Sequence, residues 1–226
     1  SEVSKRPPHK PIKYWAWAMG GPIFTILNNM WSRWQYYAAH ILLFSQLTIS
    51  LIYLIYSTVD AFNDPIVGIL TDRSARFTER FGKRWPWIMI GRVFQPIFLI
   101  LCFVPLTFLM KIPSNLILSI TWTILMMCIF ETMGTLSEVN QSALFPDLFR
   151  GVEERSKSIR AQQVIGILFQ VAMAIFIPLI IQWLGGEDSQ QAFIGTAIIC
   201  AVIVYILLIP FAYGAHENKE MRTFRM

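Results

Sequence analysis

A membrane-spanning helix needs about 20 mostly apolar residues, and this chain of 226 residues meets that length six times, at about 14–39, 41–70, 86–110, 114–145, 160–184 and 191–214. The last run is the cleanest, whereas the first two are interrupted by polar residues. The chain is 55% hydrophobic and 15% charged, with a mean hydropathy of +0.51. An ordinary soluble domain is about 45–50% apolar and about 25% charged. The expected fold is an all-α polytopic membrane protein with six transmembrane helices.

Basic residues separate sharply between alternate connections. One set holds Lys5, Arg6, Lys10 and Lys13 in the first tail, then Arg73, Arg76, Arg80, Lys83 and Arg84 after the second run. It continues with Arg150, Arg155, Lys157 and Arg160 after the fourth run and Lys219, Arg222 and Arg225 in the last tail. Lys111 stands alone on the other side. By the positive-inside rule both termini are cytoplasmic and the number of spans is even. The formal net charge of +5 is then a matter of topology, and no nucleic-acid partner is expected. An integral protein of a plasma or inner membrane follows, with lipid as its surroundings.

The expected organisation is a cytoplasmic tail at 1–13, a six-helix bundle at 14–215, and a tail or the start of a linker at 216–226. The first apolar run is too long for a cleavable signal, contains Asn28, Asn29 and Arg33, and lacks a small-residue cleavage site. The outer turn Lys111-Ile112-Pro113-Ser114-Asn115 divides the runs three and three, the arrangement of an inverted repeat. Cys102, Cys128 and Cys200 all lie in apolar runs and are odd in number, so they read as packing residues rather than a disulfide framework.

Carboxylates inside such runs are costly, by about 2.5–3.5 kcal/mol at the bilayer centre, and are functional by default. Asp60 and Asp64 are spaced i, i+4 and share one helix face, with Asn63 beside them. In a low-dielectric site both ionise readily only if a cation lies between them. A proton or a hard ion such as Na⁺ resolves the repulsion, and oxygen ligands suit a hard ion. Glu131, Thr135 and Glu138 form one stripe of the fourth run and can face that pair. The alternatives are that Asp64, which precedes Pro65, sits with Asp60 near the cytoplasmic interface without a ligand, and that Glu131 reaches outer water. Trp15, Trp17, Trp85 and Trp87 read as interfacial anchors. The histidines are scattered, and no GxSxG, P-loop or HExxH is present, so no enzyme is expected.

The run Asp60-Ala-Phe-Asn63-Asp64-Pro65-x-x-Gly68-x-x-x-Asp72-Arg73, followed by Gly82-Lys83-Arg84-Trp85-Pro86-Trp87, resembles the signature of the glycoside-pentoside-hexuronide cation symporters. These form the melibiose-permease group of the major facilitator superfamily. Pro146-Asp147-Leu148-Phe149 with Glu154-Arg155 is similar to a second cytoplasmic motif of that family. The resemblance covers essentially the whole chain but only the N-terminal six-helix half of a twelve-helix member.

It implies a cation site at Asp60, Asn63, Asp64 and Thr135, with Na⁺ or H⁺ as coupling ion and the two aspartates as the Na⁺ ligands. It implies a substrate cavity at Asn28 or Asn29, Glu138 and Gln162. The acid of the first helix is replaced by asparagine, the arginine of the fifth by Gln162, and an aromatic of the fourth by Ser142. The asparagines also admit a purely structural role near the Gly20-Gly21-Pro22 break. Asp72, with Arg73, Lys83 and Arg84, is a cytoplasmic gate whose charge-assisted bonds form and break as the cavity alternates; the same cations also serve topology.

The implied activity is cation-coupled transport of a sugar or another small organic solute by alternating access. A Na⁺-coupled lysolipid symporter is an alternative, because the substrate positions have changed while the ion positions are kept. A second six-helix half, from the same chain, a second copy or a partner, is needed to close the cavity. The rival reading is a transporter-derived subunit with a structural role in a larger membrane assembly.

Overall fold

The computed structural model describes residues 10–73, 82–106 and 116–217, with the backbone alone at Arg73. The expected tail residues 1–9 and 218–226, Arg76, Arg80 and the turn at 111–115 lie outside the described residues. Eight helices and no strand occur among those described: α1 (Pro11–Ala18), α2 (Gly20–Trp31), α3 (Trp34–His40), α4 (Gln46–Arg73), α5 (Trp85–Phe103), α6 (Leu116–Leu148), α7 (Val152–Trp183) and α8 (Gln190–Gly214). They make six passages, as the apolar runs predict.

The first passage is α1, α2 and α3 in series. Met19 (φ −61°, ψ −17°) and Ser32 (φ −59°, ψ −19°) keep right-handed dihedrals between the segments. Ser32 N donates to Asn28 O at 2.9 Å and Tyr37 N to Arg33 O at 3.0 Å, so helical bonding carries across the second break. Each break has a local cause. Pro22 lacks the N–H that would bond Ala18, and Ser32 Oγ bonds Asn29 O at 2.8 Å, competing with the helix. After α3, Ser45 Oγ accepts the Thr48 N–H at 3.1 Å and caps α4.

Helices α5 to α8 are each long and apolar enough to cross a membrane. The polar residues of α4 and the breaks of the first passage keep those two below that standard, as their sequence foretells.

Small residues let α5 and α6 cross closely. A Cβ at Gly91 of α5 would lie 2.5 Å from Met133 O and 2.7 Å from Ser137 Cβ of α6. One at Gly134 of α6 would lie 2.6 Å from Gln95 Nε2 of α5. Without water to drive burial, helices in lipid associate through such close backbone approach. α4 packs on α6, α2 on α7, and α8 touches α1, α2, α5 and α7.

The interior is aromatic. Tyr37 is fully buried and its hydroxyl donates to Phe103 O at 2.7 Å. Trp17 is 1% exposed among Phe145, Phe149 and Phe211, with ring centroids 5.8–6.1 Å away. This corrects its expected place at the membrane interface: Gly214 has no Cβ, which would fall 2.3 Å from Trp17 N, so α1 and α8 meet closely and draw the indole inside. Trp15 is exposed, as an anchor would be. Phe62 and Leu70 on α4, Ile167 and Phe176 on α7 and Ile206 on α8 are exposed apolar residues, suited to lipid or another helical surface.

The ends carrying the termini gather together. Tyr14 OH donates to Glu154 Oε1 at 3.2 Å, tying α1 to α7. Arg155 Nε donates to Phe149 O at 2.7 Å and Nη2 to Pro146 O at 3.3 Å, closing the end of α6. Glu217 accepts from the backbone N–H groups of Lys83, Arg84 and Trp85 at 3.2, 2.7 and 3.2 Å. Three orphan donors at the start of α5 are thus satisfied by one carboxylate, where the helix dipole also favours negative charge. Gly82, at φ +98°, permits the turn, and a Cβ there would meet the Glu217 carboxyl.

Two substitutions test this packing. Gly91→Leu is expected to destabilise the bundle by at least about 1–3 kcal/mol through overpacking, read as a lower melting temperature in detergent. Glu217→Ala leaves the α5 donors without their carboxylate and is expected to cost about 1–3 kcal/mol. Faster hydrogen exchange at residues 83–85, with the rest of α5 unaffected, is the accompanying signature.

Candidate functional site

Helix α4 distributes its three polar positions by helical spacing. Asn63 is 8% exposed and turned into the bundle, Asp60 is half-buried, and Asp64 is exposed. Asn63 Nδ2 donates to Thr132 Oγ1 on α6 at 3.1 Å, and Thr132 Oγ1 in turn donates to Cys128 O at 2.7 Å. With its nitrogen engaged, the amide keeps its oxygen as an acceptor. The hydroxyl that Asn63 reaches is therefore Thr132; Thr135 lies buried three residues further along α6.

The acidic stripe of α6 faces the acids of α4. Tyr56 OH donates to Glu131 Oε2 at 2.6 Å, and Asp60 interacts electrostatically with Glu131. Glu131 thus faces a partner on α4 rather than water alone. Glu138, seven residues on, interacts with both Asp60 and Asp64. Among the described residues, no group of three or more His, Cys, Asp or Glu stands close enough to hold a metal ion by itself. Any ion here needs the Asn and Thr oxygens as well as the aspartates, the mixed oxygen set that a hard monovalent cation accepts.

A cavity of about 430 Å³ opens beside this stripe. Trp17, Phe24, Phe145 and Ile159 give it apolar walls, and Glu138, Gln141, Ser142, Gln162 and Arg92 give it polar ones. Glu138 and Gln162, both expected from sequence, meet here. Asn28 and Asn29 are not among its lining residues. Asn28 Nδ2 bonds Phe24 O at 3.0 Å, while Asn29 Nδ2 bonds Thr25 O at 2.9 Å and Gln170 Oε1 at 3.1 Å. Both amides bond back to their own helix, and Asn29 also joins α2 to α7.

Arg92 is the residue that the sequence alone did not single out. It is 2% exposed in the middle of the bundle, and its Nη2 donates to Gln141 Oε1 at 3.1 Å. Glu138 interacts with it electrostatically. The signal was present, because a lone cation inside the third apolar run is as costly as a lone acid. Tyr56, Thr132 and Glu217 are further participants whose partners lie 75, 69 and over 130 positions away, so no local pattern announces them.

At the terminus-bearing end, Asp72 Oδ1 lies 3.4 Å from Lys83 Nζ and 3.2 Å from Arg84 Nη2. Three of the four expected gate residues therefore meet; the side chain of Arg73 lies outside the described residues. Asp72 is about half exposed, so the pair is of the surface kind, worth about 0–1 kcal/mol.

Residues 16–225 match the sequence profile of the MFS/sugar transport protein family. A sodium-dependent lysophosphatidylcholine symporter 1-B of Danio rerio is 25% identical over 134 residues, covering 59% of this chain and 24% of that protein. A sodium-dependent lysophosphatidylcholine symporter 1 of Gallus gallus is 29% identical over 110 residues, covering 48% of this chain and 19% of that protein. The aligned region thus spans about a quarter or less of these relatives' own lengths. A profile that matches nearly all of the six-passage helical bundle settles the family: the chain is an integral membrane protein of the MFS/sugar transport family.

Proposed function

We propose that this chain forms one half of a cation-coupled secondary transporter, moving a small organic solute by alternating access with Na⁺ as the coupling ion. The observation that carries the reading is the facing of two acidic stripes, Asp60 and Asp64 on α4 and Glu131 and Glu138 on α6, with the Asn63–Thr132 bond between the helices. A cation held by Asp60, Asp64, the Asn63 oxygen and Thr135 offsets the repulsion among these acids, and so pulls α4 onto α6. Glu138 belongs to both the acidic stripe and the cavity. Ion binding at α4 therefore alters the field in which a solute meets Glu138, and by linkage the solute raises ion affinity by the same factor. A purely structural subunit has no need of this set.

The bundle at 14–215 supplies one wall of the transport path, and a second six-helix half supplies the other. Lys13, Lys83, Arg84, Arg150, Arg155 and Lys157 sit at the end bearing the termini, which supports a cytoplasmic location for that end. Asp72, Lys83 and Arg84 act there as a gate, assisted by Arg73. The names of the relatives favour Na⁺ over H⁺ and keep a lysolipid beside a sugar as candidate solute.

Asp60→Asn in the full-length protein is expected to abolish Na⁺-driven uptake while leaving insertion and melting temperature nearly unchanged. In calorimetry, Na⁺ affinity should fall at least tenfold; saturable Na⁺ binding of unchanged strength would remove the ion site from this position. Asp72→Asn is expected to slow maximal uptake several-fold without weakening equilibrium Na⁺ binding, because it touches the gate and not the site. Uptake kinetics in proteoliposomes read the difference.

A further inference from the structure

The buried arginine of α5 has more donors than partners. Arg92 spends Nη2 on Gln141, yet its Nε and Nη1 are buried without a hydrogen-bond partner. Buried donors are normally satisfied, and a charged one left open is especially costly. A side chain kept only to pin α5 to α6 is better served by an amide or a hydroxyl, which brings no charge into the bundle. Arg92 is also among the residues that line the cavity, where Glu138 is the opposite charge and Gln162, on α7, is neutral. Gln141 is fixed on both sides: Arg92 holds its oxygen, and its Nε2 occupies the space that a Cβ at Gly20 would enter, at 2.7 Å.

We propose that Arg92 is the ligand-binding cation of this cavity, and that Arg92 and Glu138 together select a solute of zero net charge that presents oxygen acceptors to the guanidinium and a hydrogen-bond donor or cationic group to the carboxylate. The two side chains offset one another, so a solute with a net charge of either sign leaves one charge uncompensated against the walls formed by Trp17, Phe24 and Phe145. An anion meets Arg92 but also Glu138 and, beyond it, Asp60 and Asp64. A cation meets the acids but also Arg92. A neutral solute with separated acceptor and donor ends satisfies both, and the cavity volume of about 430 Å³ falls within the about 300–1,000 Å³ of small-molecule sites. A glycoside offers this chemistry through its hydroxyls and a phosphocholine headgroup through its phosphate and ammonium. The assignment rests on the transport reading above but not on which ion drives it.

The test is equilibrium binding to the full-length protein in lipid nanodiscs, with methyl galactoside and lysophosphatidylcholine as neutral probes and galacturonate and lysophosphatidic acid as their anionic counterparts. Saturable binding of one neutral probe, at least tenfold tighter than its anionic counterpart, is expected, and the probe that binds tells sugar from lysolipid. Arg92→Gln should weaken that binding at least tenfold while the thermal shift produced by Na⁺ persists, and Arg92→Lys should recover part of the loss. Equal affinity in Arg92→Gln, preference for the anionic counterpart, or no saturable binding of either neutral probe would each overturn the assignment. If Arg92→Gln loses the Na⁺ shift, Arg92→Lys carries the test: a threefold or larger loss supports the role, and equal affinity overturns it. A protein that binds the neutral probe through Arg92 but shows no response to Na⁺ supports this inference while sinking Na⁺ coupling.

Discussion

At Gly91 the helices α5 and α6 approach more closely than any side chain would permit, and the polar interior is arranged around that crossing. Gly91 lies against Met133 and Ser137, so the next residue, Arg92, is delivered to the level of Glu138 and Gln141. A larger residue at Gly91 separates the helices and leaves the guanidinium without even its one bond. In lipid this matters more than in water, because a charge that loses its protein partner has no solvent to replace it. The close crossing is therefore what allows a buried arginine to exist here.

The same helix, α6, serves three neighbours with three kinds of residue. Toward α5 it shows small residues; toward α4 it shows Glu131 and Thr132; toward the cavity it shows Glu138, Gln141 and Ser142. Because these faces belong to one 33-residue helix, a shift of α6 alters all of them together. Rigid elements with two discrete arrangements are the usual carriers of coupling between sites, and α6 joins the acidic stripe to the cavity without an intervening loop.

How much of this could be read beforehand depended on the range of each interaction. Asp60, Asn63 and Asp64 are legible as one face because helical periodicity places them there, and Asp72, Lys83 and Arg84 because opposite charges flank a turn. Trp17 misled: an aromatic near a basic tail has the composition of an interfacial anchor, but its burial is decided by the glycine at 214 on a helix nearly two hundred positions away. Asn28 and Asn29 are legible as polar groups open to either a cavity or a structural role, and the structure supplies the partners that favour the second: Phe24 O, Thr25 O and Gln170.

The sequence by itself determined the six passages, the even count that brings both ends of the bundle together, and the family. These follow from hydropathy, charge placement and local motif, each of which acts within a few turns of helix. Only the tertiary structure decided that Asn63 meets Thr132, that Glu217 caps α5, that Arg92 rather than a residue of α7 brings positive charge to the cavity, and that Glu138 stands between the acids of α4 and the cavity. Those pairings depend on which helix faces which neighbour and at what height. That is settled by small residues at the crossings and by the need to pair every buried charge, and neither condition has a period along the chain.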